Sequence, residues 1–194
     1  MSEVIGFSRR ALLARAGQLT LSAGAIALLA GKESLAATAM SNSAGDVSIL
    51  NVALSLEHEA IAAYQIGAES GLLQKPIMNV AVLFQSQHKA HRDALTATIE
   101  KLGGKPVAAM SGDEYMKSTK LNVAAIKSEG DVLMLAQRLE LGAVNAYLGV
   151  IPAFVDRDLA KIAGRLAADE TMHYTALTQA LGTPLPSSAL SYGA

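Results

Sequence analysis

Two segments of this chain occur twice, in the same order and at almost the same spacing. LEHEAIAAY (Leu56 to Tyr64) returns as LELGAVNAY (Leu139 to Tyr147), and HKAHRDALT (His88 to Thr96) returns as ETMHYTALT (Glu170 to Thr178). Glu57 and Glu140 are 83 positions apart, and His88 and Glu170 are 82. A unit of two segments that recurs at a fixed distance is an internal duplication, and each copy must fold as one supersecondary unit.

The repeated segments carry a helical period. Leu50, Ala53, Leu54, Ile61 and Tyr64 fall on one stripe, with Glu57 in the gap where an apolar residue is expected. This predicts a first helix from about Val47 to Glu69, stopped by Ser70-Gly71. Pro76 is a favourable first-turn residue for a second helix, whose stripe is Val80, Phe84, Leu95, Ile99 and Leu102, with His88 and His91 filling the missing turns and Gly103-Gly104 ending it. A third helix resumes near Asp131, with Leu133, Ala136, Ala143, Tyr147 and Val150 around Glu140, and stops at Pro152. The fourth places Leu159, Ile162, Leu166, Leu177 and Leu181 around Glu170 and His173, closed by Gly182 and Pro184. Aromatic residues make up 4% of the chain, with no Trp, which favours helices over a sheet core.

Two links are short, but residues 103–130 contain Gly-Gly, a proline and little helical pattern, too long a stretch for a tight turn. The expected fold is therefore all-α: a four-helix bundle over residues 47–182, made of two antiparallel helix hairpins joined by a long crossover. Residues 40–46 read as a linker and 183–194 as an irregular C-terminal tail.

Residues 1–39 read as an export signal. SRRALL (Ser8 to Leu13) holds a twin-arginine pair and precedes the apolar run QLTLSAGAIALLAG (Gln18 to Gly31). Small residues at Ser34-Leu35-Ala36 or Ala37-Thr38-Ala39 then offer cleavage sites. The run is shorter than the roughly 20 residues of a membrane span, so no permanent span is expected after cleavage. The pattern is similar to a Tat signal, which implies the Tat translocase as a partner during export and a periplasmic or secreted destination. Absence of cysteine removes disulfides, thiolate metal sites and cysteine nucleophiles. A formal net charge of −1 gives no basic footprint for nucleic acid.

Glu57, His88, His91, Glu140, Glu170 and His173 all interrupt apolar stripes that a bundle turns toward its axis. Unpartnered carboxylates there would cost several kcal/mol each or take up protons. A hydrogen-bonded Glu–His network would satisfy them. Six such residues at matched positions of a duplicated hairpin point instead to a metal site, because divalent cations relieve the mutual repulsion of the carboxylates. Residues i and i+3 share a helix face, so Glu170 with His173, and His88 with His91, can reach one cluster. Imidazole with carboxylate suits iron, manganese or zinc. Taking Gln85 and His88 as the second-helix pair is the alternative frame, and it loses the match between the two halves.

With these residues in place the chain resembles the ferritin-like superfamily, in the bacterioferritin and rubrerythrin style, from about Val47 to Gly182. In that family one Glu from the first and third helices and Glu-x-x-His from the second and fourth hold two metals. Glu57, Glu140, Glu170 with His173, and His91 match position by position. His88 stands where the family has a glutamate that bridges both ions, so it bears on how many metals bind and how they react. The resemblance implies a metalloprotein binding two iron ions, with manganese or zinc as alternatives and a mononuclear site as a variant. The activity it implies is oxidase or ferroxidase-like, or directed at peroxide. It is also compatible with a homodimer and with a non-catalytic binding or stress-protection protein holding structural zinc or no metal. Tyr64 and Tyr147, two turns beyond Glu57 and Glu140, are expected as packed residues making one hydrogen bond, with donation to the metal-binding side chains or a radical relay as the alternatives. His58 and Glu59 are expected on the outer face of the first helix, Glu59 as a solvated charge.

Overall fold

The structure is a computed structural model and describes residues 43–193. The twin-arginine segment lies outside the described residues. These residues form α1 (Ser43–Glu69), α2 (Lys75–Lys101), the short α3 (Gly112–Met116), α4 (Glu129–Val150) and α5 (Arg157–Ala180), with 3₁₀ turns at Val123–Ala125 and Ile151–Ala153 and no strand. α1 packs along α2, α4 along α5, and α1 also against α4. The expected bundle of two hairpins is therefore present, and α1 begins four residues before the position expected from the sequence.

Each boundary has a local cause. Pro76 lies in the first turn of α2, where its missing N–H costs nothing. At the other end of α2, Gly103 takes φ +76°, and a Cβ on Gly104 would fall 2.5 Å from Val47 Cγ1. The pair therefore ends the helix and lets the chain pass close to α1. Ser128 caps α4 by accepting from Asp131 N at 3.2 Å, and Asp156 caps α5 by accepting from Asp158 N at 2.7 Å. Asp46, almost fully buried, ties the start of α1 to the α5 approach by accepting from Val155 N at 3.2 Å.

The crossover has more structure than its sequence suggests. Ser111 and Glu114 form a capping box on α3, and Tyr115 and Leu121 pack with Ala63 of α1 and Leu135 of α4. The segment straps over α1. Asn51 Nδ2 donates to Lys105 O at 3.0 Å, Val107 N donates to Asn51 Oδ1 at 2.7 Å, and His58 Nε2 lies 3.2 Å from Val107 O. Lys120 is paired with Glu59. His58 and Glu59 do lie away from the bundle axis, but the crossover covers them, so Glu59 is a paired rather than a solvated charge.

Two apolar clusters fill the two ends of the bundle. Leu50, Leu54, Leu95, Ile99, Tyr147 and Leu166 belong to one, and Tyr64, Ala81, Phe84, Leu133, Ala136 and Leu177 to the other. Val80, expected in the α2 stripe, is instead exposed. The C-terminal tail is irregular but anchored, with Gly193 N donating to Asn145 Oδ1 at 2.6 Å and Tyr192 set edge-on to Tyr174.

Candidate metal centre

Between the two apolar clusters lies a polar layer made by the six residues that interrupt the stripes. Glu57, His88, Glu140, Glu170 and His173 are essentially inaccessible, and His91 is 8% exposed. Glu57 comes from α1, both α2 histidines from the middle of that helix, Glu140 from α4, and Glu170 and His173 from α5. Gln85 is turned elsewhere, donating to Ile61 O at 3.1 Å and Gln65 Oε1 at 2.9 Å. His88 and His91, rather than Gln85 and His88, are the α2 pair that faces the polar layer.

The layer divides into two overlapping sets, Glu57, His88, His91 and Glu170 on one side and His88, Glu140, Glu170 and His173 on the other. Within each set, one donor atom per residue lies within 4.8 Å of the others. Glu170 and His88 belong to both.

His88 spans the two sets. Its Nδ1 is 2.8 Å from Glu57 Oε2 and its Nε2 is 3.1 Å from Glu140 Oε1. His91 Nδ1 is 3.1 Å from Glu170 Oε1, and His173 Nδ1 is 3.1 Å from Glu170 Oε2 and 3.4 Å from Glu140 Oε2. Without metal, both nitrogens of every ring face an acceptor, so each ring is an imidazolium donating from both sides. Three positively charged rings then face three carboxyl groups across the layer.

The shifts in protonation follow from that geometry. Burial disfavours the charged form of His91, yet hydrogen bonds to Glu170 and Glu57 and their charges outweigh it, and its pKa is raised to about 10. His88 and His173 are raised for the same reasons, against their burial. Burial also opposes ionisation of Glu57 and Glu140, but hydrogen bonds from the imidazoles hold both below the usual carboxylate range. Glu170 is pushed up, first by burial and then by the neighbouring charge of Glu140, against its hydrogen bonds from His173 and His91. Of three crowded carboxylates, it is the one that leans toward the neutral form.

One atom stays unsatisfied. Glu140 Oε2 is buried without a hydrogen-bond partner, the only such side-chain atom found among the described residues. The nearest donor, His173 Nδ1 at 3.4 Å, is already engaged with Glu170 Oε2 at 3.1 Å; a buried anionic oxygen short of a hydrogen bond is costly, and a cation beside it would remove that cost. The donor set and this orphaned oxygen fit a divalent metal.

Four further residues complete the centre, each in the same place in both halves. Tyr64 OH donates to Glu140 Oε1, and Tyr147 OH donates to Glu57 Oε1. Burial and the adjoining carboxylates hold both phenols well above their ordinary pKa, so they stay neutral donors. On the outer side of the rings, Asp169 Oδ2 is 3.2 Å from His91 Nε2 and Gln87 Oε1 is 2.7 Å from His173 Nε2. A histidine that presents one nitrogen to a metal commonly anchors the other on a carboxylate or carbonyl oxygen, and these two rings are held in that way. Gln87 and Asp169 lie off the apolar stripes and are not among the residues that periodicity singles out. The signal was available, since they stand one residue before His88 and Glu170 and share the 82-residue spacing.

The halves are not identical. Asp169 carries a charge and is 54% exposed at its side chain, whereas Gln87 is neutral. On the α1 and α4 face, a space of about 30 Å³ reaches Glu57, His88 and Glu140 beneath Lys120 and Arg138. That is room for about one water-sized ligand.

No curated protein matches the chain significantly. Among solved structures, a conserved hypothetical protein from Mycobacterium tuberculosis is similar in fold, with 22% identity, 75% of this chain and 96% of that one covered, and a TM-score of 0.62. A sequence model of the ferritin-like domain matches residues 45–183. That span takes in all four long helices nearly end to end and every residue of the polar layer, so the chain belongs to the ferritin-like domain family.

Proposed function

We propose that this chain is an exported metalloprotein that holds two divalent redox ions, iron or manganese, and uses them in oxidation by dioxygen or peroxide. The observation that carries the reading is the pair of buried four-residue sets that share Glu170 and His88. Glu57 and His91 would hold one ion, Glu140 and His173 the other, and Glu170 would serve both. Bound ions of this kind supply electrons and Lewis acidity in a dry, fixed cavity.

The chain's own residues set the conditions. Tyr64 and Tyr147 fix one oxygen of Glu140 and Glu57, leaving the other oxygen of each carboxylate directed to the centre. A neutral His88 offers one nitrogen as a ligand and keeps a proton on the other. It can therefore coordinate on one side and donate to a carboxylate on the other, which makes the two halves unequal. The twin-arginine pair at Arg9 and Arg10 and the apolar run after it support export by the Tat route.

Anaerobic loading with Fe(II) followed by admission of dioxygen tests this reading. The expected result is about two Fe(II) bound per chain and oxidised together, with about two Fe(II) consumed per dioxygen as two electrons and two protons convert it to hydrogen peroxide. Oxidation no faster than in buffer, or protein that retains zinc alone, would contradict it. The latter outcome would favour a structural or metal-free role, for which one observation speaks: apart from Glu140 Oε2, the network satisfies its own hydrogen bonds.

The inequality of the halves yields its own prediction. A carboxylate behind His91 raises that ring's basicity as a ligand. Asp169→Asn is therefore expected to weaken the ion beside Glu57 and His91 by about 10- to 100-fold, with a smaller effect on the ion beside His173. Stepwise titration with Co(II), followed by its ligand-field absorption, resolves the two. Equal weakening of both ions would show that Asp169 acts on overall charge and not through His91.

A further inference from the structure

The end of the bundle beside the Glu140 and His173 half holds a cavity of about 90 Å³ that the metal chemistry does not account for. Ala81 and Phe84 of α2, Leu133 and Ala136 of α4, and Ala176 and Leu177 of α5 line it, with Tyr64 and Gly67 of α1. The tyrosine hydroxyl is the one side-chain polar group on the wall, and it is already engaged with Glu140. Small residues from all four long helices create the space. At its outer rim it reaches Val80 and Ala180, both exposed.

The inner wall of this cavity is also the wall of the polar layer. The Phe84 ring stacks on His173 with centroids 4.1 Å apart. Tyr64 lies 5.3 Å from the His88 ring and donates to Glu140. Two aromatic rings therefore separate an apolar chamber from the second ligand set, whereas the first set, around Glu57 and His91, faces Asp169 and solvent. Polar ligands and cations gain nothing from a chamber with no free donor or acceptor. Cavities of this lining stay dry and take up non-polar guests: one of about 150 Å³ holds benzene or xenon. The smaller volume here suits a molecule of a few heavy atoms.

We propose that this chamber is a binding site for dioxygen, which it concentrates from solvent and passes to the Glu140 and His173 side of the centre. The identity of the guest rests on the oxidase reading above; the non-polar character of the site does not. The gas then reaches the centre from the half opposite the exposed Asp169.

Crystals of the metal-free protein pressurised with xenon test the chamber, and oxidation kinetics of the iron-loaded protein test the delivery. Xenon is expected between Phe84, Ala81 and Ala136. Ala81→Leu, which fills the space, is expected to lose the xenon peak and to raise the KM for dioxygen several-fold, with Fe(II) stoichiometry at the wild-type value. Wild-type crystals without xenon there, or with ordered water in its place, would overturn the proposal. So would an Ala81→Leu protein with unchanged dioxygen dependence. Should the variant fail to fold, Ala136→Val makes a smaller intrusion into the same space, and the wild-type xenon experiment decides by itself whether the chamber takes non-polar guests. Xenon bound in a protein that oxidises no Fe(II) would overturn dioxygen delivery through failure of the oxidase reading, a result distinct from an empty chamber.

Discussion

Glu170→Gln is expected to abolish binding of both ions while leaving the metal-free fold in place. Glu170 is the one carboxylate common to the two ligand sets, so a single substitution removes a donor and a negative charge from each. Loss of a direct ligand should exceed the roughly 10- to 100-fold cost typical of altering its outer partners. Metal content after dialysis is therefore expected to fall from about two ions per chain to near none. The fold survives for a reason found in the metal-free site. Burial and the charge of Glu140 already push Glu170 toward its protonated form, and glutamine is the neutral isostere of that form. Thermal unfolding of the metal-free variant should stay close to wild type. Glu57→Gln provides the contrast: Glu57 belongs to one set only, and it is held ionised by His88 and His91, so one ion should be retained and the metal-free protein destabilised. If Glu170→Gln kept both ions, the shared role would be wrong.

Metal affinity should rise steeply with pH, and stability of the metal-free protein should move the other way. Each imidazolium must lose a proton before it can bind a metal, and His91, with a pKa of about 10, holds its proton well past neutrality. Loading is therefore expected to release more than one proton per chain near neutral pH, measurable by calorimetry in buffers of different ionisation enthalpy.

The sign for stability follows from the directions of the shifts. The three histidines have raised folded pKa values. Their contribution is complete below the unfolded value of about 6.5 and declines as pH rises toward the folded values. Glu57 and Glu140 have lowered values, so their contribution is present above an unfolded pKa of about 4.3 and is lost as pH falls through the folded ones. Glu170 is also raised, so its contribution is complete only below about 4.3 and declines as pH rises through its folded value. The metal-free protein should be most stable between about pH 4.3 and 6.5 and lose stability toward alkaline pH, while bound metal removes the alkaline loss. A melting temperature that rises from pH 6 to pH 9 without metal would contradict the imidazolium–carboxylate pairing.

Much of this centre could be read from the sequence because a duplicated helix hairpin repeats its errors of polarity. A single Glu in an apolar stripe says little, but Glu57 and Glu140, then His88 with His91 and Glu170 with His173, mark one layer at one height in the bundle. Periodicity also located the four long helices, and the glycines and prolines located their ends.

The partners of Tyr64 and Tyr147 were less legible. Each stands seven residues beyond its own glutamate, about 10.5 Å along the helix axis, which is beyond reach of it. α1 and α4 run in opposite directions, so Tyr64 instead meets Glu140 and Tyr147 meets Glu57. Only the packing of the two halves reveals that exchange. Gln87 and Asp169 were hidden for a related reason: they lie beside the apolar stripe and act across to the opposite helix, on His173 and His91. The crossover defeated periodicity because its order comes from capping at Ser111 and from anchors such as Tyr115 and Leu121, which have no repeating pattern.

The central claim is that the polar layer is a two-ion site. Anomalous diffraction from crystals grown with Mn(II), recorded with a long-wavelength beam where manganese scatters anomalously, tests it most directly. Two peaks inside the bundle are expected, one beside Glu57 and His91 and one beside Glu140 and His173, with Glu170 contacting both. Manganese found only at surface carboxylates, with the interior held by imidazolium–carboxylate pairs alone, would contradict the account.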